Sequence, residues 1–289
     1  MRKIIAVNGK ICPPEKAFIS VNDRGLLFGD CLLEVMLGSF GKIPFLKEHL
    51  KRLYSSAQAL DFKIPWSSED LALELKTLAQ KTFCAKVYIK LIITGGNQPR
   101  MFSLEEAPAT KLIFLEELED LPDKSKTKGI SLCPVHKKFD QGYVSIKTNN
   151  YLHSIAERKR RKRAGFDDIL WVNKKNEVCE ASAANIFFVR KVKNINELYT
   201  PVEESGILPG ITREKILMLV RNKPEVRSKT IKIDFSEIAD FDEAFLSSSI
   251  QGLVPIKQIG SYQYKTLCPK GFFTQVNQNF KKLILRAVS

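Results

Sequence analysis

Apolar and polar residues follow two rhythms along this chain, a period of two in short runs and a period near 3.6 in longer ones. In the opening segment, IIAVNGK (4–10) carries an Asn8-Gly9 turn signal, and LLEVMLGSFGKIPFL (32–46) reads as two strands joined around Gly41. Leu46, Leu50, Leu53, Ala57 and Leu60 then recur at helical spacing. Ser67 to Asp70 has the form of a capping box ahead of Leu71, Leu75 and Leu78, which predicts a second amphipathic helix. Val87, Ile89, Leu91 and Ile93 alternate as a strand, and KLIFL (111–115) forms another. EELEDLPDKSKTK (116–128) is charged, holds a proline and has no apolar period, so it reads as a linker with a cut near Pro122. Beyond it, DILWV (168–172), NIFFV (185–189) and AFLSS (244–248) read as strands and Arg213 to Val220 as a helix. Phe273, Val276, Phe280 and Leu283 make the core stripe of a terminal helix. The pattern as a whole is that of a mixed α and β protein.

Composition narrows the class. A chain of 289 residues exceeds one typical core, which points to two domains. With 44% hydrophobic and 27% charged residues it lies far from disordered and fibrous proteins. No apolar run is long enough for a signal peptide or a membrane span, so the expected location is the cytoplasm. Six cysteines without a CxxC pair argue against zinc or a redox motif and for reduced thiols, and no metal is expected.

Charge changes the picture more. A net charge of +14 invites a nucleic-acid or phosphorylated partner, and its densest run is Arg158 to Arg163, on a helix that begins near Tyr151. Six consecutive helical positions sweep past a full turn, so these side chains cannot form one stripe. The expectation is a solvated helix with aliphatic stems packed below it. A basic, non-enzymatic nucleic-acid-binding protein is the remote alternative, and no zinc-finger, RNA-binding or leucine-zipper signature accompanies the run.

Four places depart from what folding alone asks for. KTNNYL (147–152) puts a lysine just after the strand-like YVSI and just before a helix. Glu180 enters the apolar, small-residue stretch VCEASAANIFFV, where carboxylates are rare unless paired. In GILPGITREKIL (206–217), Gly210 and Ile211 lead into a helix opened by Thr212, and free amides at such a start bind anions. FLSSSIQGLVPI (245–256) ends an apolar strand in three serines. A lysine, a carboxylate and two phosphate-donating places together describe pyridoxal phosphate, which needs an amine for its aldehyde, an acid beside its pyridine nitrogen and donors for its phosphate.

The order and wording of these segments, from VNDRGLLFGD (21–30) to SSSIQGLVPI (247–256), resemble the class IV aminotransferases, the fold-type IV pyridoxal-phosphate enzymes. The resemblance implies an α+β fold, with a small N-terminal α/β domain, a larger barrel-like C-terminal α/β domain and the cofactor between them. On this sequence those are residues 1–120, an interdomain loop over 121–127, and residues 128–289. It further implies Lys147 as the catalytic Schiff-base lysine, Glu180 at the pyridine nitrogen, and Arg52 in KEHLKRLYSSA at the phosphate. Ile211 and Thr212 in LPGITR fall on the phosphate turn, Ser249 on a phosphate-binding Ser or Thr, and Tyr151 on a tyrosine near the cofactor hydroxyl. Toward the substrate, Arg100 in NQPRMF matches a carboxylate-binding arginine, and Leu33 replaces an aromatic common in the family. Members act on small amino and 2-oxo acids and are typically homodimers. The expected reaction is amino transfer between an amino acid, of D- or branched-chain type, and a 2-oxo acid. The alternative is aminodeoxychorismate lysis releasing pyruvate and 4-aminobenzoate.

Overall fold

The structure is a computed structural model that describes residues 3–98, 107–119, 127–138, 142 and 145–288. The chain divides into two compact units. The first is Met1–Leu121 with Ile146–Asn150 and Leu285–Ser289, and the second is Pro122–Ser145 with Tyr151–Ile284. Most of the linker expected over 121–127 lies outside the described residues.

In the first unit, β1 (Lys3–Val7) and β2 (Lys10–Cys12) form the hairpin signalled by Asn8-Gly9. Both turn residues take positive φ, 48° and 85°, the conformation that a two-residue hairpin loop requires. After the short α1 (Arg24–Phe28) come β3 (Cys31–Gly38), α2 (Leu46–Ala59), α3 (Ser68–Thr82), β4 (Val87–Thr94) and β5 (Thr110–Glu117). The five strands make an antiparallel sheet in the order β2-β1-β5-β4-β3. Leu50 and Leu53 of α2 and Leu71 and Leu75 of α3 pack with Met36, Ile89 and Leu91 of the sheet. Each buried leucine contributes roughly 1.5–3 kcal/mol. Helix α3 starts at the expected box, with Ser67 Oγ accepting from the Asp70 amide at 3.0 Å.

One expectation fails here. LLEVMLGSFGKIPFL holds a single strand, β3, followed by a Ser39–Lys42 bridge around Gly41, and no second strand forms. Pro44 cannot donate to a ladder, and Phe45, at φ 59°, turns the chain directly into α2.

The second unit is built on a nine-stranded sheet among the described residues, curled into a half-barrel. Its strands are β6 (Ile130–His136), β7 (Asp168–Val172), β8 (Val178–Ala181), β9 (Asn185–Val192), β10 (Ile195–Pro201), β11 (Val226–Ile231), β12 (Glu243–Ser248), β13 (Gly252–Ile259) and β14 (Tyr262–Gln263). Three helices accompany them, α4 (Leu152–Arg163), α5 (Ile211–Val220) and α6 (Phe272–Val288). Successive residues on β9 point to opposite faces. Phe188 accordingly stacks on Phe241 at 4.9 Å, while Phe187 stacks on Phe245 at 5.1 Å, which meets Phe273 of α6 at 5.5 Å. The start of α6 is fixed by Glu243, whose two oxygens accept from the amides of Phe272 and Phe273. Phe273, Val276 and Phe280 are buried as the stripe predicts, and Leu283 is half-buried. Helix α5 begins at Ile211, two residues ahead of the expected Arg213, because Gly210 in extended conformation already serves as its first boundary. Helix α4 has no fully buried residue; within its basic run Arg161 is half-buried and the other five side chains are exposed.

Candidate active site

Strand β3 turns Leu32, Glu34 and Met36 to one face, and all three are fully buried. A carboxylate there requires partners. Helix α2 supplies them from positions three apart, which share one helical face. His49 Nδ1 lies 2.7 Å from Glu34 Oε2, while Arg52 donates Nε to Oε1 and Nη2 to Oε2, both at 2.8 Å. Burial pushes the Glu34 carboxyl up, but the hydrogen bonds from His49 and Arg52 outweigh it and bring the pKa down to about 2. Burial lowers the His49 pKa, and the charges of Arg52 and Lys147 push in the same direction against the pull of Glu34. His49 is therefore a neutral imidazole whose Nδ1 carries the proton, since an ionised Glu34 can only accept.

Lys147 sits in the Ile146–Asn150 segment of this same unit. Its carbonyl accepts from the Leu33 amide at 2.9 Å, so the lysine is tied by its backbone to the strand that carries Glu34. The segment also comes close to Gly29, where φ is 69° and an added Cβ would lie 2.2 Å from Asn150 Oδ1. Only glycine fits that approach. Within this unit, then, Lys147 is tied through the Leu33 amide to the strand whose Glu34 holds His49 and Arg52.

In the second unit the organiser is Asn185, a buried residue at the head of β9. Its Nδ2 donates to Glu180 Oε2 at 3.0 Å and to the Leu208 carbonyl at 2.9 Å. The Leu208 amide reaches the same Glu180 oxygen at 3.2 Å. One residue pair thus fixes the carboxylate of β8 against the turn that opens α5. At that turn a Cβ on Gly210 would fall 1.9 Å from Asn185 Oδ1, so the backbone approaches as only glycine allows. Gly210 offers no side chain to cap α5, which leaves the helix start to be satisfied by something else. Asn185 is also paired in register with Ser247 of β12, whose Oγ is buried and has no partner among the described residues. Ile211 and Thr212 are each 4% exposed, and Ser249 lies half-buried in the turn just past β12. From beneath, the Arg213 guanidinium binds Thr200 Oγ1 and the Pro201 carbonyl, which pins α5 to β10.

The sequence-derived residues of this unit, Glu180, Ile211, Thr212 and Ser249, all border the Asn185 network or the strand end that it pairs with. Tyr151 occupies the N-cap position of α4. Arg100 lies outside the described residues. Four residues of the two networks were not singled out from sequence: Glu34, His49, Asn185 and Ser247. The signals for them were a lone acid within LLEVML, a histidine one helical turn before Arg52, a polar head on an apolar strand, and a neighbour within an already marked serine run.

A family model described as amino-transferase class IV matches residues 31–259. The chain belongs to the class IV aminotransferase family. Its relatives include the D-alanine aminotransferase of Listeria monocytogenes, 27% identical over 263 residues that cover 90% of this chain and 88% of the relative. Among solved structures, a branched-chain aminotransferase from the thermophilic archaeon Thermoproteus uzoniensis, solved with norvaline, superposes with a TM-score of 0.86 at 22% identity, covering 98% of this chain and 95% of that one. The 4-amino-4-deoxychorismate lyase of Pseudomonas aeruginosa gives 0.81 at 22% identity, covering 96% and 98%. These two likenesses show the fold. Class IV aminotransferases are enzymes that use pyridoxal phosphate, and this fold accommodates both transferase and lyase members. No helix among the described residues is long and apolar enough to cross a membrane.

Proposed function

We propose that this protein binds pyridoxal 5'-phosphate and transfers an amino group between an amino acid, of D- or branched-chain type, and a 2-oxo acid. The observation that carries the reading is the Asn185 network, because it sets an acid, an uncapped helix start and an unpartnered buried hydroxyl around one residue. Each has a counterpart in the chemistry of the cofactor. The uncapped amides of Ile211 and Thr212, with the hydroxyls of Ser247 and Ser249, suit a phosphate dianion. Arg52, held in a bidentate grip by Glu34, adds a cation for the same group. Glu180, whose Oε2 accepts from Asn185 and Leu208, would hold a proton at the pyridine nitrogen, and the Tyr151 hydroxyl would serve the ring hydroxyl.

Pyridoxal phosphate, when bound, supplies a cationic ring that draws electrons from a substrate Cα bond. Lys147 would be the amine that holds the aldehyde, and the same amine would move the proton at the substrate α-carbon. Arg100 takes the substrate carboxylate, and Leu33 sets the shape of the substrate side. The protein acts in the cytoplasm as a homodimer. In support of the dimer, Phe18 and Val21 are both 75% exposed, and Leu26 and Leu27 follow at 58% and 53%, an apolar concentration that a second copy would cover.

The test is a donor panel on the yellow holoprotein, using D-alanine, L-leucine and L-glutamate with 2-oxo acids, and aminodeoxychorismate with pyruvate detection. Amino transfer from an amino-acid donor is expected. Pyruvate release without amino transfer would assign the lyase reaction instead, and absence of a borohydride-quenchable chromophore would remove the cofactor reading itself.

A further inference from the structure

The basic run on α4 plays no part in the aminotransferase reading, and no residue of α4 is fully buried. Its inner side is not simply solvated. Between α4 and the ends of β6 and β7, wholly inside the second unit, lies a cleft of about 550 Å³. That volume is the size of small-molecule sites, which run from roughly 300 to 1,000 Å³. Four cations reach its lining, Arg160 and Arg161 from the helix and Lys137 and Lys138 from the segment after β6, against one carboxylate, Glu157. Two imidazoles, His136 and His153, complete its polar wall.

Several of these groups are held in place without being neutralised. Glu157 receives Arg160 at 2.6 Å and Arg161 at 3.3 Å, which orients two guanidinium forks with a single negative charge. Arg161 Nε is buried and has no hydrogen-bond partner among the described residues, an unmet donor beside the cleft. Lys137 is anchored by its Nζ to the Gly206 carbonyl at 3.3 Å, a neutral acceptor that leaves its charge intact. It stands 6.0 Å from the centroid of Trp171, whose ring forms the apolar wall. His136 is fixed edge-on against Phe235 at 5.8 Å.

We propose that this cleft is a second ligand site, for a small phosphate ester whose anionic end is gripped by Arg160 and Arg161 and whose organic part lies against Trp171. Guanidinium forks match phosphate oxygens bidentately, and an aromatic wall beside them selects an ester over a bare anion. A nucleic-acid backbone is disfavoured because Arg160, Arg161, Lys137 and Lys138 line one cleft rather than an extended stripe, while Arg158 points elsewhere, 3.6 Å from Asp168. The site is independent of Lys147 and its chemistry.

Calorimetric titration of the holoprotein with ADP, used as the probe, is expected to give saturable binding at one site per chain, competed by pyrophosphate. Arg160→Ala/Arg161→Ala is expected to weaken it about tenfold or more, with the melting temperature unchanged. ADP is also expected to alter Trp171 emission in a Trp66→Phe background, which leaves Trp171 as the sole tryptophan. No binding at about 1 mM ADP, or equal affinity in the double variant, overturns the proposal. So does RNA binding that ADP does not compete, which would assign the basic run to a nucleic-acid partner.

Discussion

Arg52 on α2 and Arg160 on α4 are both helical arginines beside a glutamate, yet the side chain of one is 10% exposed and that of the other 70%. Arg52 meets its carboxylate beside the first sheet, on a Glu34 that is fully buried, in two parallel hydrogen bonds, with His49 completing the third side. Arg160 meets Glu157 within its own helix, at the edge of solvent. The difference teaches what each charge is for. Burying an ion pair costs desolvation, which only close geometry offsets, so the Glu34 cluster is stable only if complete. The α4 pairs cost little and stabilise little, so a basic run there is explained by what it meets rather than by the fold.

The comparison is broken or sharpened first at Glu34. Glu34→Ala leaves Arg52 and His49 buried without their acceptor and is expected to lower stability by about 3–5 kcal/mol in urea unfolding. A loss near zero would mean the cluster is wet and the contrast false. Next is Asn185→Ala, which removes two hydrogen bonds on buried groups. It is expected to cost about 1–3 kcal/mol and to raise the concentration of pyridoxal phosphate needed to restore the chromophore. An unchanged cofactor requirement would detach Asn185 from the site.

Acid titration separates the regions further. Glu34 has a folded pKa lowered from 4.5 to about 2, so its contribution is whole above 4.5 and is lost as the pH falls toward 2. His49 is held neutral by a pKa lowered from 6.5, so below that value the unfolded chain takes up a proton that the fold refuses. Both act in one direction. The urea midpoint is expected to fall with pH below about 6.5, and Glu34→Gln/His49→Gln should flatten that slope. The smallest effect is expected at Arg160→Ala/Arg161→Ala, which should change stability by about 1 kcal/mol or less. A larger loss would show that α4 depends on its ion pairs after all.

What could be read from the sequence follows the same division. Periodicity placed α2, α3 and β4 because each repeats one apolar face over several turns or pleats, and Ser67 marked a cap through purely local chemistry. Lys147, Glu180 and the LPGITR turn were marked through their wording and order, and the structure sets Glu180 against Leu208 of that turn. Glu34, His49 and Asn185 were not, because each is one polar residue in an apolar or helical pattern, and its meaning comes from a partner that only the tertiary register supplies. Glu34 finds its two partners 15 and 18 residues away, and Asn185 reaches Leu208 23 residues away. The missing strand after Gly41 has a local cause, since Pro44 and the positive φ of Phe45 end the extended path before a ladder can form. The cleft under α4 was invisible because it depends on how that helix meets the ends of β6 and β7, which only the tertiary structure supplies.

The central claim is that Lys147 is the amine that carries the cofactor. Borohydride reduction of the purified holoprotein followed by peptide mapping tests it most directly. The account predicts a phosphopyridoxyl adduct on Lys147 alone, with Lys147→Ala folded, colourless and reduced in turnover by about 10³-fold or more. An adduct on any other lysine, or full turnover in Lys147→Ala, would contradict it.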